Sequence, residues 1–502
     1  MINTVSQKWV PVGVDELEPN ADTVIRSNEN YSVIAGPGAG KTELLAQRAC
    51  YLLQTGKCPY PYRILAISFK KDSAKNLKDR VTERCSKKDA LRFDSLTFDA
   101  FGKSLLDRFM GALPDIWQPS KDYEIYFPKN AEYESTLRSN HLNFSHKSIK
   151  QFEKNWVLGS PLQPQGIQEI PNQLLSTAAK YWWNACLHMG TNSRLTFPMM
   201  GRLAELLLRI NPKIRNALRA TYTHVFMDEF QDTTHVQYDL VKTAFLNSPT
   251  ILTAVGDNKQ QIMRWAMALD DAFGEFEKDF QAQRIQLSSN YRSSPELVKI
   301  LDNLALIIDA NYQQVESKIS RNISEDACVI RDFHIPETEA EHLAKTILDS
   351  IKTYKLSLQD FVILVKQKPN NYEPLLKEGF RKYGLKIRLT QQDILAEPLT
   401  NIFICFLRFG SKERAGVYWS DCHKILCNLR GVDLADDRSN RLLQEELNNF
   451  HYDLQNKMKL QHFSTDHINI LLKEIEEFIN KTCIQAYYPQ YKQGNNYDYW
   501  LK

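Results

Sequence analysis

A short apolar run, Val33-Ile34-Ala35, ends in Gly36-Pro37-Gly38-Ala39-Gly40-Lys41-Thr42, and the helix-forming stretch TELLAQRACYLL follows at once. Any fold for this chain must turn a buried strand on glycines directly into a helix, which is the geometry of a parallel α/β unit. Glycines let backbone N–H groups turn inward around phosphate oxygens, and the helix N-terminus adds its positive dipole end. In such a loop Lys41 reaches the β- and γ-phosphates and Thr42 ligates Mg²⁺. The usual pattern opens with glycine, whereas Ala35 stands there. The plainer alternative is a glycine-rich turn before an ordinary helix. Strand, glycines, Lys-Thr and helix in that order favour a nucleotide, but they do not name a reaction.

At 502 residues the chain has material for two to four domains. Its apolar share of 43% and charged share of 25% are those of ordinary globular proteins. A net charge of +3 argues for no general affinity for nucleic acid, so a basic surface has to be local. Nine cysteines without paired spacing fit a reducing cytosol, and a cytoplasmic location is expected. Cys422, His423 and Cys427 are the nearest thing to a metal cluster, and they read better as one helix carrying scattered polar groups. No stretch of the sequence is long and apolar enough to span a membrane.

Strand-like and helical runs alternate from Tyr31 to Leu105, with RILAISF (Arg63 to Phe69) as a second buried strand. That alternation predicts βαβ units and a parallel sheet. From about Phe109 to Leu208 tryptophans, prolines and long polar helices replace the strands. The strand pattern resumes with THVFMDE (Thr223 to Glu229) and TILTAVGD (Thr250 to Asp257). A second α/β lobe is expected from Pro295, with DFVILVK (Asp360 to Lys366) as its clearest strand. After Gly410 the chain reads as helical and charged.

Asp228 and Glu229 close an apolar strand. One carboxylate there can hold Mg²⁺ and its neighbour can activate water for hydrolysis. The pair extends into DEFQDTTHVQYDL, and GDNKQQIMRW (Gly256 to Trp265) follows another buried strand. LSSNYRSSPEL (Leu287 to Leu297) comes next. Its arginine can meet γ-phosphate charge and the tyrosine before it can stack on a base.

The order and spacing of these boxes resemble UvrD/Rep-type superfamily 1 DNA helicases. SFKKDSA (Ser68 to Ala74) and LTFDAF (Leu96 to Phe101) stand where that family carries two further motifs. The resemblance covers roughly Ser32 to Phe409, less the helical insertion. It implies a P-loop NTPase of class α/β. Residues 1–108 and 209–294 would form a first RecA-like lobe and 109–208 a helical insertion. Residues 295–410 would open a second RecA-like lobe, and 411–502 would be its helical, incomplete insertion. By position, Gly36, Pro37, Gly38, Ala39, Gly40, Lys41 and Thr42 would cradle ATP and Tyr291 would stack on adenine. Thr42 and Asp228 would hold Mg²⁺. Glu229 would be the general base, Gln260 would sense the γ-phosphate and Arg292 would contact it. Trp265, Phe69 and Phe98 would face single-stranded DNA, although a Phe after a strand is often core. ATP would sit between the lobes and drive movement along single-stranded DNA or at DNA junctions, in the 3′ to 5′ direction. Two other classes are a module that grips ATP and DNA without efficient turnover and a small-molecule kinase. A kinase has no use for the GDNKQQIMRW and NYRSS boxes.

Four departures qualify the resemblance. LEPNADTVI (Leu17 to Ile25) places Ala21 where the family's adenine-reading glutamine is expected. Asp99 replaces a histidine, and Ala266 stands where arginine is common. The family's last two motifs, a DNA-touching segment and one that supplies a second arginine, have no counterpart after Gly410. The expectation is a fragment or incomplete product, or a second lobe completed by a partner chain. The first lobe would then fold soundly, the second would be partly exposed, and the tail after Gly410 would pack least well.

Overall fold

The computed structural model describes residues 9–14, 16–128, 130–139, 149, 151–167, 173–190, 192–263, 267–310, 312–320, 327–366, 368–387, 398–411, 416–430, 432, 437–458 and 465–488. The chain divides into two compact units, Met1–Val329 and Ile330–Lys502.

The first unit is built on a six-stranded sheet. Its strands are β1 (Tyr31–Ile34), β2 (Arg63–Ser68), β3 (Phe93–Thr97), β6 (Tyr222–Asp228), β7 (Ile251–Gly256) and β8 (Gln283–Gln286). Two short strands, β4 (Glu124–Ile125) and β5 (Arg194–Leu195), pair separately inside the helical insertion. The sheet order is β3-β2-β6-β7-β1-β8, and every pairing is parallel. Apolar, β-branched-rich runs produce this arrangement because helices cover both faces, so a central strand is buried along nearly its whole length. β1 and β7 show it, with Val33, Leu252, Ala254 and Val255 each fully buried. In register, Ile34 pairs with Gly256 and Ser68 with Asp228. The C-terminal ends of β1, β2, β6 and β7 therefore open on one edge of the sheet, where ligands bind in open α/β folds.

The expected insertion has its own core. Trp117 and Trp183 meet edge to face at 5.2 Å, and Tyr133 stacks on Trp182 at 4.1 Å. Aromatic pairs of this kind add to the apolar burial that holds the helices Gln173–His188 and Phe197–Ile210 together.

The second unit departs from expectation twice. DFVILVK forms no strand. A 3-10 turn, Leu358–Asp360, is followed by extended backbone in which Val362 is 71% and Leu364 86% exposed. A strand exists only when neighbouring backbone satisfies its N–H and C=O groups, and among the described residues this unit offers none. The tail after Gly410 packs well rather than poorly. The helices Pro398–Ser411, Gly416–Arg430, Asp437–Met458 and Thr465–Ile479 enclose Phe406, Phe409, Leu426, Leu447 and Ile475, all fully buried. Phe450 stacks face to face on Phe478 at 3.9 Å. An amphipathic helix satisfies its own backbone and needs only an apolar face opposite, which a charged sequence can still supply.

Candidate functional site

The glycine loop leaves β1 and enters the helix Lys41–Gln54. Gly38 and Gly40 have φ of +82° and +81°, a left-handed conformation that side chains resist. A Cβ at Gly38 would meet Asn290 Oδ1 at 2.7 Å, so glycine is also required by close approach. Lys41 Nζ donates to the loop's own carbonyls, Ala35 O at 3.2 Å and Gly36 O at 3.5 Å. The ammonium thus lies over the loop rather than in solvent.

At the neighbouring strand ends a chain of hydrogen bonds links the acidic pair to Gln260. Glu229 sits just past β6 with φ +51° and ψ +43°, strain of about 1–3 kcal/mol for a residue with a side chain. Its carboxylate accepts from Gln231 Nε2 at 2.8 Å. Gln231 Oε1 accepts from Asp257 N at 3.0 Å, and Asp257 Oδ2 accepts from Gln260 Nε2 at 3.0 Å. Lys259 completes the set with an ion pair to Asp257 at 3.0 Å. Gly256 makes room for it, because a Cβ there would lie 2.1 Å from Gln231 Oε1. The strained backbone at Glu229 is thereby held by two strand ends at once.

Asp228 is 3% exposed and accepts from Glu229 N at 3.0 Å. Burial, and then the adjacent Glu229, push its carboxyl up to about 6, against the pull of Lys41. Carboxylate and hydroxyl oxygens are the hard donors that suit Mg²⁺, and Asp228 and Thr42 offer that chemistry.

The NYRSS box closes over the loop. Asn290 is buried, donates from Nδ2 to Pro37 O at 2.9 Å, and accepts from Arg292 N and Ser293 N at 2.9 Å each. Tyr291 N donates to Gly38 O at 2.9 Å, which leaves the Tyr291 ring and the Arg292 side chain exposed. One cavity of about 710 Å³ is lined by Gly36 to Thr42, Glu229, Gln260, Tyr291 and Arg292. Nearly all the nucleotide-site residues chosen from sequence meet there; Asp228, the last residue of β6, is not part of the lining. Sequence reading missed Asn290, Gln231 and Asp257, although each lies inside a quoted box. A polar residue one to four positions past a strand end was the available signal.

The residues expected to face DNA divide. Phe69 follows β2 and is half-buried. Phe98 is 3% exposed: the first residue of the helix Phe98–Phe109, which Thr97 caps, it belongs to the core that holds Phe101, Leu105 and Phe230. Its ring belongs to packing rather than to a surface. Trp265, with Ala266, lies outside the described residues. The segment leading to it is anchored, because Asp232 accepts from the backbone N–H groups of Ile262 and Met263. Asp99 is partly buried, and burial raises its carboxyl from its ordinary value against a hydrogen bond from Gln237.

Comparison with known proteins agrees with this geometry. Residues 17–281 match the UvrD/REP helicase N-terminal domain, and residues 285–497 match the UvrD-like helicase C-terminal domain. A probable DNA helicase II homolog of Mycoplasma capricolum is 26% identical over 340 residues, covering 66% of this chain and 46% of that protein. The ATP-dependent DNA helicase PcrA of Leuconostoc citreum is 26% identical over 370 residues, covering 71% and 48%. The ATP-dependent DNA helicase Rep of Buchnera aphidicola from Acyrthosiphon pisum is 24% identical over 390 residues, covering 75% and 58%. The chain spans about half the length of these curated relatives. Among the described residues no helix is long and apolar enough to cross a membrane. With a phosphate loop, an acidic strand end and an arginine-bearing closing segment around one cavity, and with family models matching both halves, this chain belongs to the UvrD/Rep helicase family.

Proposed function

We propose that the chain hydrolyses ATP, with Mg²⁺, and couples the hydrolysis to movement on single-stranded DNA, 3′ to 5′ as its family resemblance implies. The observation that carries this reading is the convergence of Lys41, Thr42, Glu229, Gln260, Tyr291 and Arg292 on one cavity. Gly38 and Gly40 turn N–H groups toward the phosphates, and Lys41 moves from its loop carbonyls to the β- and γ-oxygens. Thr42 and Asp228 would hold Mg²⁺, which would neutralise phosphate charge. Glu229 takes the proton of the attacking water, its carboxylate aimed by Gln231. Gln260, oriented by Asp257, reports the γ-phosphate to the strand ends, and Arg292 meets the charge that develops there. Phe69 and Trp265 are the proposed base-stacking contacts, each worth about 1–3 kcal/mol and indifferent to sequence. Phe98 is not among them.

The test is phosphate release with and without single-stranded DNA, on the full chain and on Glu229→Gln. DNA is expected to stimulate hydrolysis. The variant is expected to bind nucleotide normally and lose about 10²–10⁴-fold in rate, the usual contribution of a positioned base. Normal hydrolysis by Glu229→Gln would remove Glu229 from its role. Nucleotide and DNA binding with no turnover in the parent chain would mark a regulatory module instead.

A further inference from the structure

The phosphate end of the cavity is set by the glycine loop, so by elimination the nucleoside base faces the opposite end. Apart from the phosphate-site residues, the cavity is lined by Val14, Leu17, Ala21, Leu44, Leu287 and the ring of Tyr291, and by the charged groups Glu16, Glu18, Glu43, Arg80 and Lys318, of which Arg80 and Glu43 pair with each other at 2.7 Å. Reading adenine requires a donor and an acceptor side by side, because its edge offers an amino group next to a ring nitrogen. Asparagine and glutamine supply both, a carboxylate only accepts, and an ammonium only donates. Ala21 is 6% exposed and supplies neither.

The polar side chains around Ala21 are turned to another task. Both oxygens of Glu18 are occupied, accepting from Ser288 N at 3.0 Å and Ser289 N at 2.9 Å. Asn20 donates from Nδ2 to Gln286 O at 2.7 Å. These bonds pin the segment that carries Tyr291, two residues beyond Ser289. Glu16 is exposed and acceptor-only, and Lys318 is donor-only and paired with Glu316 at 2.5 Å. The base is therefore met by apolar surface and by an exposed aromatic face, and every base has a π-face to offer.

We infer that the site is permissive for the base: its substrates are purine nucleoside triphosphates as a class, GTP and ITP together with ATP. This rests on the reading of the cavity as a nucleoside triphosphate site. Apolar pockets reject isosteric or near-isosteric ligands weakly, whereas a site built to hydrogen-bond its ligand rejects analogues by about 10⁴–10⁵. Selectivity here comes from the triphosphate, which the glycine loop, Lys41 and Arg292 surround.

The experiment measures Mg²⁺-dependent binding of N-methylanthraniloyl-labelled ATP and GTP to the full chain, followed by phosphate release from each unlabelled nucleotide with single-stranded DNA present. The affinities are expected to agree within about 100-fold, the scale of discrimination in an apolar pocket. ATP binding with GTP at least about 100-fold weaker would overturn the inference and leave the proposed function standing. Binding of neither nucleotide would instead sink the reading of the cavity on which it rests. Ala21→Gln restores a donor–acceptor pair at the base end, and its affinity for labelled ATP shows that it is folded. It is expected to shift the ATP-to-GTP ratio toward ATP by about tenfold or more, in line with the value of a well-placed base contact. A folded variant with an unchanged ratio would show that position 21 does not set base selectivity.

Discussion

β2 and the segment Phe361–Lys366 read alike as sequence, RILAIS and FVILVK, yet they end in opposite environments. β2 lies between β3 and β6, paired on both sides, and Ile64, Leu65, Ala66 and Ile67 are all fully buried. In the second unit Val362 and Leu364 are open to solvent, and so is Ile330, at 95% exposure. The residues are equally suited to a strand. What differs is the neighbour, which β2 has on each side and Phe361–Lys366 does not have among the described residues. A strand is a shared structure, while the helical core of Phe406, Leu426 and Leu447 in the same unit was completed locally.

This comparison can be broken most directly by hydrogen exchange. Amides of β2, β6 and β7 are expected to exchange at least about 10³-fold more slowly than those of Phe361–Lys366, because core strands open only near the global unfolding free energy. Comparable protection in the two regions would mean that the second segment has a strand partner after all. Truncation gives the next largest contrast. Leu252→Ala, in fully buried β7, is expected to cost about 2–5 kcal/mol in a denaturant titration. Leu364→Ala is expected to stay within about 0.5 kcal/mol, as for an exposed site. A large cost at Leu364 would show that its surface is covered in the working protein.

The third prediction sharpens the comparison from the site side, where strand ends hold charge under strain. Asp228 titrates near 6 when folded, above its ordinary 3.8. The folded protein therefore holds this proton more tightly than the unfolded chain does. The cost of ionising Asp228 in the folded state is absent below about pH 4, grows between 4 and 6, and is full above 6. A rise of some two pKa units corresponds to about 3 kcal/mol. Asp228→Asn is expected to stabilise the first unit by roughly that amount at pH 8, with the gain shrinking as pH falls from 6 toward 4. Hydrolysis is expected to be lost at every pH. A gain independent of pH would assign the effect to packing rather than to charge.

The sequence carried the site better than the fold of the second unit. Lys41, Asp228, Glu229, Gln260 and Arg292 stand in short boxes tied to strand ends, and a parallel sheet brings strand ends together whatever the loops between them. The supporting residues were harder to read. Gln231 and Asp257 bond to each other across 26 positions, and Asn290 bonds to the glycine loop across 253. Phe98 shows the converse difficulty. One aromatic after a strand serves a surface or a core equally well as sequence, and only the burial of its ring among the core residues around the sheet decided for the core.

By itself the sequence determined the phosphate loop, the parallel character of the first sheet, the order of the motifs and the helical nature of the tail. Each of these is local, written in periodicity, glycine placement or a motif of a few residues. Tertiary structure alone decided that Glu229 adopts a left-handed backbone held from two strands and that Glu18 and Asn20 bond to the backbone between Gln286 and Ser289. It also decided that FVILVK remains extended and exposed while the charged tail closes a core. These outcomes depend on which groups find partners across long stretches of chain, and hydrogen bonds and apolar contacts between distant residues leave no period in the sequence to read.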